Sequence, residues 1–208
     1  MKEQIVKISG LIGLKIPIVL ASQSPRRQHL LERLGFQFTI EPAHIEENEL
    51  ENEEPSQHVM RLALEKARAI AKTKSVPALV IGADTIVFLE GAILNKPENK
   101  SDAIQMLSRL SGREHTVFSG VALVESCTRK SVVEYEKTLV EFRNLSDEEI
   151  SAYVESGSPL DKAGAYGVQD DFGAVFVRRI EGCYYNVVGL PLQLLYLMMR
   201  DFCRDDSY

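Results

Sequence analysis

The sequence predicts an α/β protein in which helices flank a mixed sheet, and three observations support this class. Strand-like and helix-like segments alternate from the start of the chain. Two β-rich runs, 115–126 and 131–142, are typical of long antiparallel strands. With 208 residues, of which 45% are hydrophobic and 26% charged, the chain can bury an ordinary core. We expect one domain over residues 1–208, built as two lobes around one sheet, whose boundaries the sequence does not define.

The amino-terminal half carries clear start and stop signals. A strand at about 17–21 leads into a helix that has Ser24 as its N-cap, Pro25 at its first position and Gly35 just past its end. The segments that follow are a strand at 36–40, an acidic loop at 44–55, an amphipathic helix at about 55–73 and a strand at 78–89.

The carboxy-terminal half continues the alternation. Glu90-Gly91 is typical of a hairpin turn, and Ser146 with Glu149 forms a capping box for a helix that ends near residue 156. The other predicted segments are a strand at 92–97, a helix at 100–110, the two long strands, a Gly-rich loop, a strand at 173–180 and a closing helix at about 191–202.

Composition excludes several classes of function. A net charge of −6 and a pI near 5.4 argue against a broad surface for nucleic acid polymers or anionic membranes, which needs a basic face. No apolar stretch reaches the roughly 18 residues of a membrane span. The three cysteines show no metal-ligand spacing, and their odd number suits free, reduced thiols. Because thiols stay reduced in the cytosol, we expect a cytoplasmic protein.

One carboxylate interrupts a strand that is otherwise apolar. In 80-VIGADTIVF-88, Asp84 lies among β-branched and small residues that are typical of a buried strand. An isolated carboxylate costs several kcal/mol or more in a low-dielectric interior. Asp84 therefore needs a cationic partner.

Lysine 66 interrupts an apolar helix face in the same way. On a helical wheel, Lys66 falls between Val59 and Leu62, inside the apolar arc of the helix at 55–73. A lysine at the edge of such an arc can extend its ammonium to solvent. Alternatively, the ammonium of Lys66 points into a cleft.

The segment 24-SPRR-27 has the features of an anion site. Ser24 and Pro25 begin a helix whose first N–H groups and positive dipole end attract anions, while Arg26 and Arg27 add charged donors. Arg27 shares one helix face with the leucines that follow. Either a phosphate binds here, or the segment is a capped helix with solvated arginines.

Further charged residues complete this pattern. Lys96 and Lys162 lie in loops next to predicted strands, and together with Arg26, Arg27 and Lys66 they suggest a triphosphate pocket in an acidic protein. Glu47, in the acidic loop, and Asp84 offer the hard oxygen ligands that Mg²⁺ prefers. Taken alone, the acidic run 46–54 is more typical of a solvated face than of a metal site. The four histidines show no metal-ligand spacing, and no Walker A loop or nucleophile elbow occurs.

Six motifs in register resemble the Maf family of nucleoside triphosphate pyrophosphatases between about residues 17 and 202. They are 21-ASQSPRR-27, 82-GADT-85, 94-LNKP-97, 107-LSRLSGREHTVFSGVAL-123, 162-KAGAYGVQ-169 and 186-NVVGLPL-192. The resemblance implies a two-lobed mixed sheet around a central cleft, like that of the inosine-triphosphatase group. It also implies hydrolysis of a nucleoside triphosphate to the monophosphate and pyrophosphate with a divalent metal cation, Mg²⁺ or Mn²⁺, and a homodimer.

The resemblance also assigns roles to residues of this chain. Asp84 is expected to accept a proton from the attacking water, and Glu47 with Asp84 to lie near the metal. The residues expected to bind phosphate, or otherwise to contact the substrate, are Ser24, Arg26, Arg27, Lys66, Thr85, Lys96, Lys162 and Gln169.

Three positions favour the dTTP/UTP branch of the family. Arg26, Thr85 and Gln169 stand where the branch that cleaves 7-methyl-GTP tends to have Trp, Gln and Glu. The amide of Gln169 can donate to and accept from a uracil edge. This chain departs from the family pattern at Ser158, where a Glu is usual, and at Asp170, where a Gly is common.

Two other functions use the same residues. A non-catalytic, nucleotide-binding regulator of septum formation would need the same cations without turnover. A metal-dependent phosphatase or nuclease would release free phosphate or cut a polymer. The overall acidity disfavours a polymer.

Overall fold

The structure, a computed structural model, describes residues 8–169 and 172–204. These residues form two compact units, each assembled from separate stretches of the chain. The first unit consists of Gly120–Tyr135 and the described parts of Met1–Asp84 and Gly189–Tyr208. The second unit consists of Thr85–Ser119 and the described part of Glu136–Val188.

A seven-stranded sheet flanked by helices confirms the predicted α/β class. The strands are β1 (Ile18–Leu20), β2 (Phe38–Ile40), β3 (Leu79–Leu89), β4 (Ala92–Leu94), β5 (Glu114–Glu125), β6 (Ser131–Phe142) and β7 (Val177–Glu181). Their order is β2-β1-β3-β5-β6-β7, with β4 paired to β3 outside this path. Strand β1 is parallel to β2 and β3, whereas β4 is antiparallel to β3 and β7 is antiparallel to β6. The sheet is therefore mixed, as predicted.

The helices are α1 (Ile8–Ile12), α2 (Pro25–Arg33), α3 (Pro55–Ala71), α4 (Lys100–Leu110), α5 (Asp147–Glu155), α6 (Tyr184–Val188) and α7 (Leu192–Arg204). The two predicted caps are present: Ser24 accepts the backbone N–H of Arg27, and Ser146 with Glu149 forms the capping box of α5. Helices α1 and α6 were not predicted. Each has five residues, which are too few to show helical periodicity. No helix within the described ranges has the length and apolarity needed to cross a membrane.

Small residues let α3 pack closely on the sheet in the first unit. The buried core here includes Ala63 and Ala67 of α3 and, from the strands, Val19, Val80, Ala122 and Val124. Gly82 of β3 lies directly under α3, because an added Cβ would overlap the carbonyl oxygen of Ala63. Gly120 of β5 faces the backbone of Val59 in the same way. These close approaches fix where α3 places its side chains over β3.

The predicted strand at 173–180 is correct only in its second half. Residues Gly173–Phe176 form a 3-10 turn, and the strand begins at Val177. Phe176 is buried and its ring lies 5.2 Å from that of Tyr153, edge to face. A short, continuous apolar run cannot distinguish a strand from another buried conformation. Here the aromatic packing decided the conformation.

The substitution Gly82→Ala tests the close approach of α3 to β3. We expect it to lower the free energy of unfolding by about 1–3 kcal/mol, because the new methyl group must displace the helix backbone. Urea unfolding measures the change. Gly10→Ala is the matched control, since a Cβ at Gly10 meets no atom within 4 Å. Equal stability of the two variants would contradict the packing described here.

Candidate active site

A lysine of α3 neutralises the buried carboxylate of β3. Asp84 is 5% exposed, and its Oδ1 accepts a hydrogen bond of 2.7 Å from Nζ of Lys66. The same ammonium lies 2.7 Å from Oε1 of Glu47. Because Lys66 itself is 7% exposed, its ammonium does not extend to solvent. The partner that Asp84 requires is therefore Lys66, and three predicted site residues meet at one nitrogen.

The loop that carries Glu47 is held to α3 by its neighbours. Glu53 accepts hydrogen bonds from Nε and Nη2 of Arg61 at 2.6 and 2.8 Å, and Arg61 Nη2 also donates to the carbonyl oxygen of Asn48 at 2.9 Å. The hydrogen bonds from Arg61 lower the pKa of the Glu53 carboxyl to about 2. Part of the acidic segment is thus bound to the helix rather than simply solvated. This binding places Glu47 next to Lys66.

Arg27 is anchored at the start of α2. Its Nε donates to the carbonyl oxygen of Gly189 at 2.9 Å, and its Nη1 donates to Oγ of Ser22 at 3.3 Å. Burial lowers the pKa of the guanidinium, while the nearby Asp84 carboxylate acts in the opposite direction. Arg27 is therefore a partly desolvated cation within the electrostatic reach of Asp84. Arg26 is close enough to repel it.

The second unit holds Thr85 in a network of polar groups. Thr85 Oγ1 and Ser119 Oγ are 2.8 Å apart, and Ser119 also donates to the backbone carbonyl of Asn186 at 3.3 Å. The side-chain amide of Asn186 donates to Val117 O and Thr138 Oγ1. Because Ser119 and Asn186 are fully buried, this network fixes the hydroxyl of Thr85.

The other predicted residues of the second unit differ in exposure. Lys162 is buried, and its ammonium donates to the carbonyl and hydroxyl oxygens of Ser158 and, at 2.7 Å, to Oδ1 of Asp161. These acceptors occupy the ammonium, so a phosphate can bind Lys162 only in their place. Lys96 and Gln169 are exposed. The family departure at Ser158 thus supplies a neutral acceptor to Lys162, and the departure at Asp170 lies outside the described residues.

Tyr166 of the motif 162-KAGAYGVQ-169 packs in a buried aromatic cluster with His115 and Phe142. His115 Nε2 lies 2.8 Å from the hydroxyl of Tyr166, and both rings pack edge to face against Phe142. Burial lowers the pKa of His115 to about 3 and raises that of Tyr166, so both side chains are neutral at physiological pH. His115 thus has a structural role, in keeping with the lack of metal-ligand spacing among the histidines.

Within residues 8–169 and 172–204, no group of three or more His, Cys, Asp or Glu side chains is arranged to hold a metal ion. Glu47 and Asp84 converge on Lys66 as a pair. The described side chains therefore supply two carboxylate ligands at most in this place.

Comparisons with known proteins agree with the motifs. The family model described as Maf-like protein matches residues 17–202. The chain belongs to the Maf family. A Moorella thermoacetica relative named dTTP/UTP pyrophosphatase is 52% identical over 84% of this chain and 89% of its own length. Relatives of the same name from Caldicellulosiruptor saccharolyticus and Bacillus anthracis are 45% and 49% identical, over 88% and 92% of this chain and 93% and 98% of their own lengths.

The residues that hold the charged groups of this Maf chain in place were not among the site residues predicted from the sequence. Ser22 and the carbonyl of Gly189 bind Arg27, Arg61 fixes the loop of Glu47, and Ser119 binds Thr85. Ser22, Ser119 and Gly189 lie inside the family motifs, which was the available signal. A motif shows that a residue matters but does not identify its contact across the chain.

The variant Lys66→Met tests the buried ion pair. We expect it to lower the free energy of unfolding by about 3–5 kcal/mol, because it leaves the Asp84 carboxylate buried without its counter-ion. Urea unfolding at neutral pH measures the change. Lys100→Met is the matched control, since the pair of Lys100 with Glu155 lies half exposed at the surface and contributes little. Similar small changes in both variants would contradict the role assigned to Lys66.

The stability of the protein is expected to depend on pH through His115. The folded protein binds a proton at His115 with a pKa of about 3, whereas an unfolded histidine has a pKa of about 6.5. This contribution is complete above about pH 6.5 and is lost as the pH falls toward 3, by about 1.4 kcal/mol per pH unit. The variant His115→Gln, which keeps a hydrogen-bonding group but does not titrate, is expected to show a shallower slope between pH 6.5 and 4.5. Equal slopes in denaturant unfolding of the two proteins would disprove the assignment.

Proposed function

We propose that this Maf protein hydrolyses dTTP and UTP to the nucleoside monophosphate and pyrophosphate. The relatives that cover most of the chain carry the name dTTP/UTP pyrophosphatase. The single observation that carries the proposal is the buried carboxylate of Asp84, which shares the ammonium of Lys66 with Glu47. Attack of water on a phosphate requires a base that accepts the proton and a cation that stabilises the developing charge. The two carboxylates and the lysine that meet here can supply these groups.

Asp84 is the proposed proton acceptor. Lys66 binds Oδ1, and no residue of the described ranges donates a hydrogen bond to Oδ2. Oδ2 is therefore the oxygen that can accept a proton from the attacking water. A general base of this kind contributes about 10²–10⁴-fold to the rate.

Lys66 and Arg27 are the proposed phosphate ligands of the first unit. An ammonium has three N–H donors, and two of those on Lys66 point to Asp84 and Glu47. The third can bind a phosphate oxygen. Arg27, partly desolvated by burial, gains stability from an anion that replaces the lost water. For Lys96 and Lys162 the proposal rests on the family motifs alone.

A divalent cation fits the carboxylate pair. Glu47 and Asp84 neutralise Lys66 and Arg27, so the charge of a triphosphate calls for an additional cation. Mg²⁺ is commonly held by one or two carboxylates together with substrate phosphates, which matches two convergent oxygens. We propose that Glu47 and Asp84 hold this cation. When bound, it would polarise the phosphoryl oxygens and lower the pKa of a bound water.

The preference for a pyrimidine base is assigned to three residues. Arg26, Thr85 and Gln169 have the identities of the dTTP/UTP branch. Gln169 is exposed and carries an amide that can donate to one edge atom of uracil and accept from another. Ser119 and Asn186 restrict Thr85, which gives this position a defined hydroxyl. A homodimer and a cytoplasmic location remain predictions from the family and the composition.

Measuring product formation from dTTP, UTP and 7-methyl-GTP with Mg²⁺ or Mn²⁺ tests the proposal. We expect monophosphate and pyrophosphate in equal amounts, with both pyrimidine substrates preferred over the methylated purine. The variant Asp84→Asn is expected to lose at least about 100-fold in turnover while it still binds nucleotide, because it keeps the shape but not the base. Asp147→Asn, in the first turn of α5, is the control that keeps full activity.

Each other result excludes part of the proposal. Binding of dTTP without pyrophosphate release from the wild type would favour the regulator of septum formation. Free phosphate as the product would indicate a phosphatase. A preference for 7-methyl-GTP would show that the assignment of Arg26, Thr85 and Gln169 is wrong.

A further inference from the structure

Ser22, which lies two residues before the N-cap of α2, accepts two hydrogen bonds on one oxygen. The backbone N–H of Ser24 donates to Ser22 Oγ at 3.2 Å, and Arg27 Nη1 donates to the same oxygen at 3.3 Å. Ser22 is only 7% exposed. This hydroxyl is therefore enclosed by groups that also belong to the proposed phosphate site.

The two contacts determine where the hydroxyl proton points. A serine hydroxyl has one proton and two lone pairs, arranged with the carbon at the corners of a tetrahedron. Because two donors occupy the two lone pairs of Ser22, the proton must point to the remaining corner. No atom in the described part of the chain accepts a hydrogen bond from it. A buried donor without an acceptor is costly, so a ligand acceptor is expected there.

The surroundings of Ser22 identify the chemistry of that acceptor. The guanidinium of Arg27 is in direct contact with its hydroxyl, and the N–H of Ser24, the N-cap of α2, donates to the same oxygen. A guanidinium at the start of a helix favours an anion with several oxygens. Burial lowers the pKa of Arg27, and an anion next to the guanidinium acts in the opposite direction.

We propose that the Ser22 hydroxyl donates a hydrogen bond to a phosphate oxygen of the substrate, next to Arg27. This inference rests on the proposed function, because the triphosphate of the nucleotide is the anion concerned. Ser22 then has two roles: its lone pairs orient Ser24 and Arg27, and its proton binds the substrate.

The alternative is that Ser22 acts only by positioning Arg27 and Ser24. The two roles make different predictions once both of these side chains are removed. If Ser22 only positions them, the loss of its hydroxyl has no further effect in an Arg27→Met, Ser24→Ala background. If it donates to phosphate, the loss weakens binding in both the wild-type and this background.

Isothermal titration of the full chain with inorganic triphosphate and Mg²⁺ separates these possibilities. We expect Ser22→Ala to weaken triphosphate binding at least about tenfold, since a hydrogen bond to a charged group is lost, and to do so again in the Arg27→Met, Ser24→Ala background. Ser22→Cys, which keeps the volume but replaces the donor with a weaker one, is expected to change affinity in the same direction and guards against misfolding of the alanine variant.

Ser126→Ala is the matched control. Ser126 is also buried, and its hydroxyl accepts from the N–H of Ala78 and donates its proton to the carbonyl of Val76. Its removal is expected to lower stability and leave triphosphate affinity unchanged. Unchanged affinity in the Ser22 variants, or an effect that disappears in the Arg27→Met, Ser24→Ala background, would overturn the proposal. Pyrophosphate release from dTTP by the wild type is measured separately, so a failure of the proposed reaction is distinguished from a failure of this inference.

Discussion

The ion pair between Lys66 and Asp84 is the interaction on which the rest of the site depends. A carboxylate in the middle of a buried strand is tolerated because an ammonium from α3 meets it at 2.7 Å. That meeting requires α3 to lie directly on β3, which Gly82 permits because it has no side chain to hold the helix away. The core packing and the chemistry of the site are therefore linked. A change in the distance between helix and strand would separate the Asp84 carboxylate from its counter-ion.

The other charged residues of the site are also held by specific acceptors and donors. Arg61 binds the loop of Glu47, the carbonyl of Gly189 binds Arg27, and Ser158 with Asp161 binds Lys162. Such anchoring reduces the conformational entropy that long side chains lose when a ligand binds. It also means that the ammonium groups of Lys66 and Lys162 already have carboxylate partners in the fold.

The second unit stabilises its motif without charges. His115, Phe142 and Tyr166 pack together behind the motif 162-KAGAYGVQ-169, and the first and last of these are neutral because burial disfavours their charged forms. Ser119 and Asn186 hold Thr85 through hydroxyl and amide groups. A neutral framework of this kind does not change its charge near neutral pH.

Local patterns along the chain were enough to predict the fold class, the caps of α2 and α5, and the residues whose charge conflicts with an apolar context. Asp84 and Lys66 could be found because a charge inside an apolar period is a local signal, readable within one segment. The same local reasoning failed for Gly173–Phe176, where a run of apolar residues fits a strand and a buried turn equally well. The pairing of Asp84 with Lys66 and the contact of Glu47 with the same ammonium were visible only in the folded chain. The same is true of the hydrogen bonds from Arg27 to Ser22 and Gly189. These contacts join residues far apart in the chain, and the energy of a buried polar group depends on which partner the fold brings to it.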